Sequence, residues 1–118
     1  MINLTNASLK IYLALQPCDM RKSFNGLAEI ATEHLGQELA KEAIFAFVNK
    51  RRNRLKLLYF DGTGLWVAAR RLEEGTFSWP AGNKARDKKL KLAPQALALL
   101  LDGIDLKGAS MRGWYRVK

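Results

Sequence analysis

Arginine and lysine side chains, which can neutralise phosphate groups, are concentrated in one stretch of this 118-residue chain. Five cations fall within seven residues between two apolar segments, and an Arg70–Arg71 pair follows. Each cation that neutralises a nucleic-acid phosphate releases counterions, and an arginine at a hairpin tip can also enter a groove. The stretch therefore predicts contact with nucleic acid, the alternative being a solvated face that keeps a small domain soluble. Its five cations are Lys50, Arg51, Arg52, Arg54 and Lys56.

The charge is spread unevenly along the chain, which carries a net +9 and has a pI near 10.0. Before Lys50, four cations oppose five acids, and from Lys50 onward sixteen cations oppose six acids. This asymmetry predicts one basic face or arm, with DNA as the partner. A polar segment at 81–92 is predicted to be a mobile basic loop, and 106–118 forms a basic tail. The loop cations join the predicted DNA-binding set: Lys84, Arg86, Lys88, Lys89 and Lys91.

Residues suited to nucleophilic or metal chemistry are few. The chain has one histidine, His34, and one cysteine, Cys18, too few for a dedicated zinc site. Nothing in their spacing argues for a cysteine–histidine nucleophile. A phosphate-binding glycine loop is also missing from the sequence. We therefore predict neither a cofactor nor a metal.

Three carboxylates form the one cluster that would suit a metal-dependent nuclease: Asp61, Glu73 and Glu74. Such a site requires the ends of neighbouring strands to meet. In the competing interpretation, Asp61 forms a turn and a glutamate pairs with Arg70 or Arg71. We favour the second interpretation and predict no catalytic residues.

The aromatic residues divide into two predicted groups. Those inside strand-like segments are expected in the core: Tyr59, Phe60, Trp66 and Phe77. Trp79 and Trp114 lie beside turns or basic residues, so they are the candidates for stacking on nucleic-acid bases.

The pattern of apolar residues predicts a single α+β domain over 1–118. Alternating or continuous apolar residues indicate strands at 9–15, 44–48, 54–60, 65–69 and 76–79, with Asp61–Gly64 as a hairpin turn. Three consecutive antiparallel strands with short turns would form a meander. Helical spacing predicts one helix at 24–35 that stops at Gly36, and another from Pro94 to Gly103. We expect both helices to cover one face of the sheet, and Asn53 to take the left-handed conformation in the basic turn.

A short motif before the first helix carries two more cations, Arg21 and Lys22, after Asp19. Cations in the first turn of a helix oppose its dipole, so a partner elsewhere is expected. That partner is Asp19, another acid of the fold, a phosphate or a second protein. Arg21 and Lys22 are therefore predicted partner-binding residues.

The cellular location follows from what the sequence lacks. The longest apolar run near the C-terminus is too short to span a bilayer, and the first residues lack the pattern of a signal peptide. A single cysteine fits a reducing compartment. We predict a cytoplasmic protein that does not contact membranes.

Four motifs in order resemble the accessory-protein family, TnpB, encoded by the second open reading frame of insertion-sequence-66 transposons. They are PCDMRK at 17–22 with Gly26–Leu27, IFAFVNKRRNRLKLLYFDGTGL at 44–65, RRLEEGTFSWP at 70–80 and LLDGI at 100–104. The family usually has Lys-Arg where this chain has Arg70–Arg71, which keeps the charge. Nothing specific carries over to 81–92, where the family varies.

The resemblance implies a protein that supports transposition beside a separate transposase of the same element, and it transfers no catalytic residues. Combined with the charge pattern, it predicts a non-enzymatic DNA-binding accessory protein. The alternatives are an adaptor that docks to the transposase and, less favoured, a nuclease that uses Asp61 and Glu73.

Overall fold

The computed structural model describes residues 8–80, 87–102 and 115–117. In these ranges the chain forms six strands and two helices. The first helix, α1, runs directly into a π-helical turn at Ile30–His34. The elements are β1 (Lys10–Ala14), α1 (Phe24–Glu29), β2 (Ala43–Val48), β3 (Arg54–Phe60), β4 (Leu65–Arg71), β5 (Lys89–Leu92), α2 (Pro94–Leu101) and β6 (Tyr115–Val117).

All six strands belong to one mixed sheet in the order β4-β3-β2-β1-β5-β6. The consecutive antiparallel pairs β2–β3 and β3–β4 confirm the predicted meander over these strands. Asp61–Gly64 closes the second hairpin, with Gly62 at φ +103°, a conformation that glycine adopts without steric cost. The α+β class is thus confirmed.

The pairing of β1 with β2 is parallel, which the sequence pattern did not predict. Parallel neighbours need a long crossover, and the chain between Ala14 and Ala43 supplies one that contains α1. The backbone N–H of Cys18 then donates to the Val48 carbonyl at 2.8 Å. The segment that follows β1 therefore lies beside the end of β2, where the basic turn begins.

The prediction of a mobile loop over 81–92 is wrong for its last four residues, because Lys89–Leu92 is strand β5. It pairs antiparallel with β1, and Leu90 and Leu92 are buried in the core. The alternating apolar residues were outweighed in the sequence by the surrounding lysines. Lys84, Arg86, Trp114 and most of the tail at 106–118 lie outside the described residues.

The two helices pack on opposite faces of the sheet, so the expectation of one covered face is wrong. Leu27, Ala31 and Leu35 bury against one face, which we call the α1 face. Ala96, Leu97 and Leu100 bury against the other, the α2 face. Two separate cores result, and this explains why β2 is buried along its whole length.

Residues 76–80 form no strand, in contrast to the prediction, yet two of their side chains are buried on the α2 face. Phe77 fills that core, and the Trp79 indole N–H donates to the Ala14 carbonyl at 2.9 Å. Trp79 is therefore a core residue and no stacking platform. Trp66, predicted to be buried, is 55% exposed because β4 lies at the edge of the sheet.

None of the helices in the described ranges has the length and apolar character needed to cross a membrane.

Candidate nucleic-acid interface

The turn between β2 and β3 is organised by the side chain of Asn49. Its amide oxygen accepts hydrogen bonds from the backbone N–H groups of Asn53 and Arg54, both at 3.0 Å. Its amide nitrogen donates to the Asn53 side chain at 2.7 Å. An asparagine that accepts backbone donors in this way fixes a turn without a regular ladder. Asn49 was not among the predicted site residues, although its place at the start of a turn was a usable signal.

Arg52, rather than the predicted Asn53, takes the left-handed conformation, with φ +59°. For a long side chain this conformation is uncommon. The Asn53 side chain instead accepts the hydrogen bond from the Asn49 amide nitrogen. The turn therefore holds an arginine in a conformation that glycine or asparagine would adopt more easily, and its side chain is exposed.

Hydrogen bonds from the chain after β4 hold this turn from the other side. The Leu72 N–H donates to the Asn53 carbonyl at 2.8 Å, and the Phe77 N–H donates to the Arg52 carbonyl at 2.7 Å. Since Phe77 is buried in the core, the turn is anchored to the body of the protein. Lys50, Arg51 and Arg52 are thus exposed on a turn whose backbone is fixed on both sides.

Three separate sequence motifs meet beside the turn. An open cleft of about 560 Å³ is lined by the segment after β1, the turn itself and the end of β4. We call this edge of the molecule, where β2 ends and β3 begins, the basic end of the sheet. The cleft is lined by Cys18, Asp19, Met20, Arg21, Asn49, Lys50, Arg51, Asn53, Arg54 and Arg71.

Arg54 and Arg71 lie directly opposite each other on neighbouring strands. Like charges in this position destabilise a sheet unless something neutralises them. Glu73 approaches Arg71 at 3.1 Å, so one of the two is paired, and this agrees with the favoured interpretation of that glutamate. Across the described part of the chain, no carboxylate lies within salt-bridge distance of Arg54. The pair is therefore suited to accept an anion.

Lys56 and Arg70 occupy different sides of the same hairpin. The register places Lys56 on the α1 face with Arg54 and Arg71, and its Nζ donates to the Lys22 carbonyl at 2.7 Å. Arg70 pairs with buried Leu55 and so belongs to the α2 face. The predicted Arg70–Arg71 unit is split, because neighbouring residues of a strand point to opposite faces.

Within the motif at 19–22, the ion pair is internal. The Arg21 guanidinium binds the Asp19 carboxylate at 2.8 Å, and the Arg21 backbone N–H also donates to it at 2.9 Å. These hydrogen bonds lower the pKa of Asp19 to about 2. Lys22 is exposed, its backbone N–H donates to the Asp19 carbonyl at 3.1 Å, and its carbonyl accepts from the Lys56 Nζ.

The loop lysines do not form one group. Lys89 is half-buried, its Nζ donates to Leu35 O and Gln37 Oε1 at 2.9 Å each, and it lies over the Tyr12 ring. It therefore serves the fold. Lys88 is exposed, and its carbonyl accepts from Leu15 N, which places it at the basic end of the sheet. Lys91 is partly buried on β5.

The carboxylates of the nuclease hypothesis lie far apart. Asp61 follows β3 at one end of the β3–β4 ladder and Glu73 follows β4 at the other, a separation of about 20 Å along the strands. Asp61 accepts hydrogen bonds from Thr63, Gly64 and the Trp66 indole, as a turn former does. No cluster of three potential metal ligands occurs among residues 8–80 and 87–102.

The two remaining candidates for nucleophilic chemistry are also unsupported. Burial raises the pKa of the Cys18 thiol, which disfavours the reactive thiolate. His34 is exposed at the end of the π-helical turn. Nothing in the described geometry joins the two side chains.

Comparison with known proteins gives one family. The model of the family described as IS66 Orf2 like protein matches residues 9–111. Two uncharacterized proteins of Sinorhizobium fredii are similar. One, y4jC, is 34% identical over 93% of this chain and 85% of its own length. The other, y4hO, is 31% identical over 83% of each chain. No solved structure matches.

Proposed function

The chain belongs to the IS66 Orf2-like family of transposition-associated accessory proteins, and on that premise we propose that it acts without catalysis by binding DNA at the basic end of its sheet. The contacts are made to phosphates by the exposed cations of the β2–β3 turn and by Arg54 and Arg71. Arg21 and Lys22 extend this surface from the neighbouring segment, and Lys88 extends it across β1.

The observation that carries the proposal is the unmatched charge at this end. Arg54 and Arg71 oppose each other across the strands, and Lys50, Arg51 and Arg52 have no carboxylate within salt-bridge distance in the described ranges. A fold that only needed solubility would intersperse acids among these cations. Phosphate oxygens supply the missing negative charge and accept hydrogen bonds from guanidinium groups in paired geometry.

The rigidity of the turn supports the same function. Asn49 fixes the turn from within, while the N–H groups of Leu72 and Phe77 hold it from behind. A preorganised contact surface loses less conformational entropy on binding than a flexible arm does. Arg51 and Arg52, exposed on this turn, are the residues that would approach a groove.

Fluorescence-anisotropy titrations of labelled duplex and single-stranded DNA across a salt series test the proposal. The logarithm of the binding constant should fall linearly with the logarithm of salt concentration. Arg51→Ala combined with Arg52→Gly should weaken binding and reduce the slope by about 2, because each lost phosphate contact contributes about 0.9. Glycine at 52 accepts the positive φ, so the fold is preserved.

The matched control removes two charges from the opposite end of the sheet. Lys10 and Lys41 are exposed there, and Lys41 lies 3.8 Å from the position of a Cβ built on Gly62. Lys10→Ala with Lys41→Ala should leave the salt slope nearly unchanged. Equal losses in the two double variants would reject a localised interface. Absence of binding at low salt would reject DNA binding altogether and leave the transposase adaptor as the working hypothesis.

A further inference from the structure

Strand β4 lies at one edge of the sheet, with its outer side turned away from β3. The strand has seven residues, and among the strands described the sheet order places only β3 beside it. Unpaired backbone groups along an edge strand are a template for another strand. Two arginines at its end provide some protection, but Ala68 and Ala69 are exposed in its middle and Trp66 is exposed near its start.

The hairpin register shows which backbone groups point outward. The Asp61 N–H donates to the Gly64 carbonyl, so this pair is of the hydrogen-bonded type. The type alternates along an antiparallel ladder, so Trp66, Ala68 and Arg70 bond to β3. The N–H and C=O groups of the alternate residues therefore point away from the sheet: Leu65, Val67, Ala69 and Arg71.

We propose that this edge pairs with β4 of a second copy of the chain, antiparallel and centred on Ala68. In that register Ala68 faces its own copy across the two-fold axis, and all seven strand residues find a partner. The outward-pointing residues form the hydrogen-bonded pairs, Leu65 with Arg71 and Val67 with Ala69. About eight backbone hydrogen bonds result.

The positions of the arginines on β4 favour a second copy of the chain as the partner, and they favour this register. No arginine faces an arginine, because each Arg70 lies opposite the Trp66 of the other copy on the α2 face. This pair is of the close, non-hydrogen-bonded type, in which a guanidinium can stack on an indole ring. The Trp66 indole N–H is already bound to Asp61 at 2.8 Å, so the ring is held in place. Small alanines at the centre allow the copies to approach.

The contact is compatible with the proposed DNA-binding surface. Antiparallel pairing places the two basic ends at opposite ends of the combined sheet. Arg54 and Lys50 stay exposed, and Arg71 stays on the α1 face. The contact also gives Arg70 a role distinct from that of Arg71.

Cysteine cross-linking tests the register directly. In a Cys18→Ser background, Ala68→Cys places two thiols across the two-fold axis, where the Cα atoms of a close antiparallel pair are about 4.5 Å apart, within the range of a disulfide. Ala69→Cys is the matched control, equally exposed, but its two copies would be diagonal and about 7–8 Å apart. We expect diamide to convert most of the first variant, and little of the second, into covalent dimer. Equal cross-linking of both variants, or of neither, would overturn the proposal.

Sedimentation equilibrium supplies the second measurement, at moderate salt to screen the +9 charge of each chain. The unmodified protein should show a monomer–dimer equilibrium. Ala69→Pro removes an outward N–H without breaking a bond to β3, so it should give a folded monomer with an unchanged circular dichroism spectrum. An unmodified chain that stays monomeric at all concentrations, the result expected if the edge receives a different protein, would overturn the proposal.

Discussion

The two turns at the ends of β3 have similar backbone hydrogen bonding, but they differ in whether their charged side chains are neutralised within the turn. Each begins with a side chain that accepts backbone N–H groups: Asn49 at the basic end and Asp61 at the hairpin end. At the hairpin end the charged group is enclosed by donors from its own turn. At the basic end the residue that accepts these hydrogen bonds is neutral, and the charged side chains of the turn take no part in its hydrogen-bond network.

The pKa of Asp61 shows how strongly the hydrogen bonds of its own turn stabilise the charged carboxylate. The backbone N–H of Thr63, the Trp66 indole and the backbone N–H of Gly64 together hold the pKa of this carboxyl well below its usual range. Its charge is therefore satisfied by the fold. The cations of the β2–β3 turn have no equivalent partners in the described ranges, so their charge remains available to a ligand. This contrast distinguishes a turn whose charge serves the fold from the turn proposed to bind DNA.

Reversing one charge at the basic end should give the largest effect. Arg54→Glu replaces a like-charged cross-strand pair with an opposite one, so the free energy of unfolding should rise by roughly 0.2–1 kcal/mol. DNA affinity should fall about 10- to 100-fold, since one phosphate contact is lost and a repulsion is added. Chemical denaturation and anisotropy measure the two quantities. Lys41→Glu, the same reversal at the hairpin end, should change affinity much less, and an equal loss would contradict the contrast.

Removing the organising residue of each turn should separate their roles. Asn49→Ala leaves two backbone donors without their acceptor and should lower the free energy of unfolding by about 1–3 kcal/mol. DNA affinity should fall with it, because the turn is no longer preorganised. Asp61→Ala should also lower the melting temperature while leaving affinity intact. A loss of affinity in Asp61→Ala would show that the two turns are not independent.

A smaller effect is expected at the left-handed residue. Arg52→Gly removes the steric cost of φ +59° but increases the freedom of the unfolded chain, so stability should change by less than about 1 kcal/mol. DNA affinity should nevertheless decrease because one phosphate contact is lost, and the salt slope should fall by about 0.9. Unchanged affinity would exclude the Arg52 side chain from the interface. Arg52→Asn also tolerates this conformation and removes the same charge, so it serves as the control for the added backbone freedom of glycine.

Lowering the pH should slightly reduce the stability that the carboxylates of Asp19 and Asp61 contribute. The folded pKa of Asp19 is about 2, mainly through hydrogen bonds from Arg21, against about 3.9 for an unfolded chain. The stability that Asp19 and Asp61 contribute is therefore complete above about pH 4 and is lost as the pH falls towards 2. Urea denaturation from pH 5 to pH 2 should show a decline that is shallower in Asp61→Asn than in the unmodified protein. Identical curves would contradict the role of Asp61.

Local sequence predicted the parts of the fold that local rules govern. The β2-β3-β4 meander follows from apolar runs between turn residues, and the aspartate and glycine at 61–62 mark their hairpin. The stop of the first helical segment at Gly36, which has φ +65°, also follows from residue type. Strand β5 was missed because a run of only four residues lies among lysines.

Exposure of the aromatic residues was not predictable in the same way. Trp79 is buried without belonging to a strand, while Trp66 is exposed although it lies in one. Alternation along a strand shows which residues share a face. It does not show whether another element covers that face, and among the described strands β4 has one neighbour, β3.

The sequence by itself determined the family, the strand order of the meander and the density of cations in one turn. Only the tertiary structure decided which cations lie together. The parallel pairing of β1 with β2, through the crossover that contains α1, brings Arg21 and Lys22 to the turn, and the β3–β4 register puts Arg71 opposite Arg54. The same register turns Arg70 to the other face. Long-range pairing sets these neighbours, and no local pattern of residues records which strands will pair or in which direction.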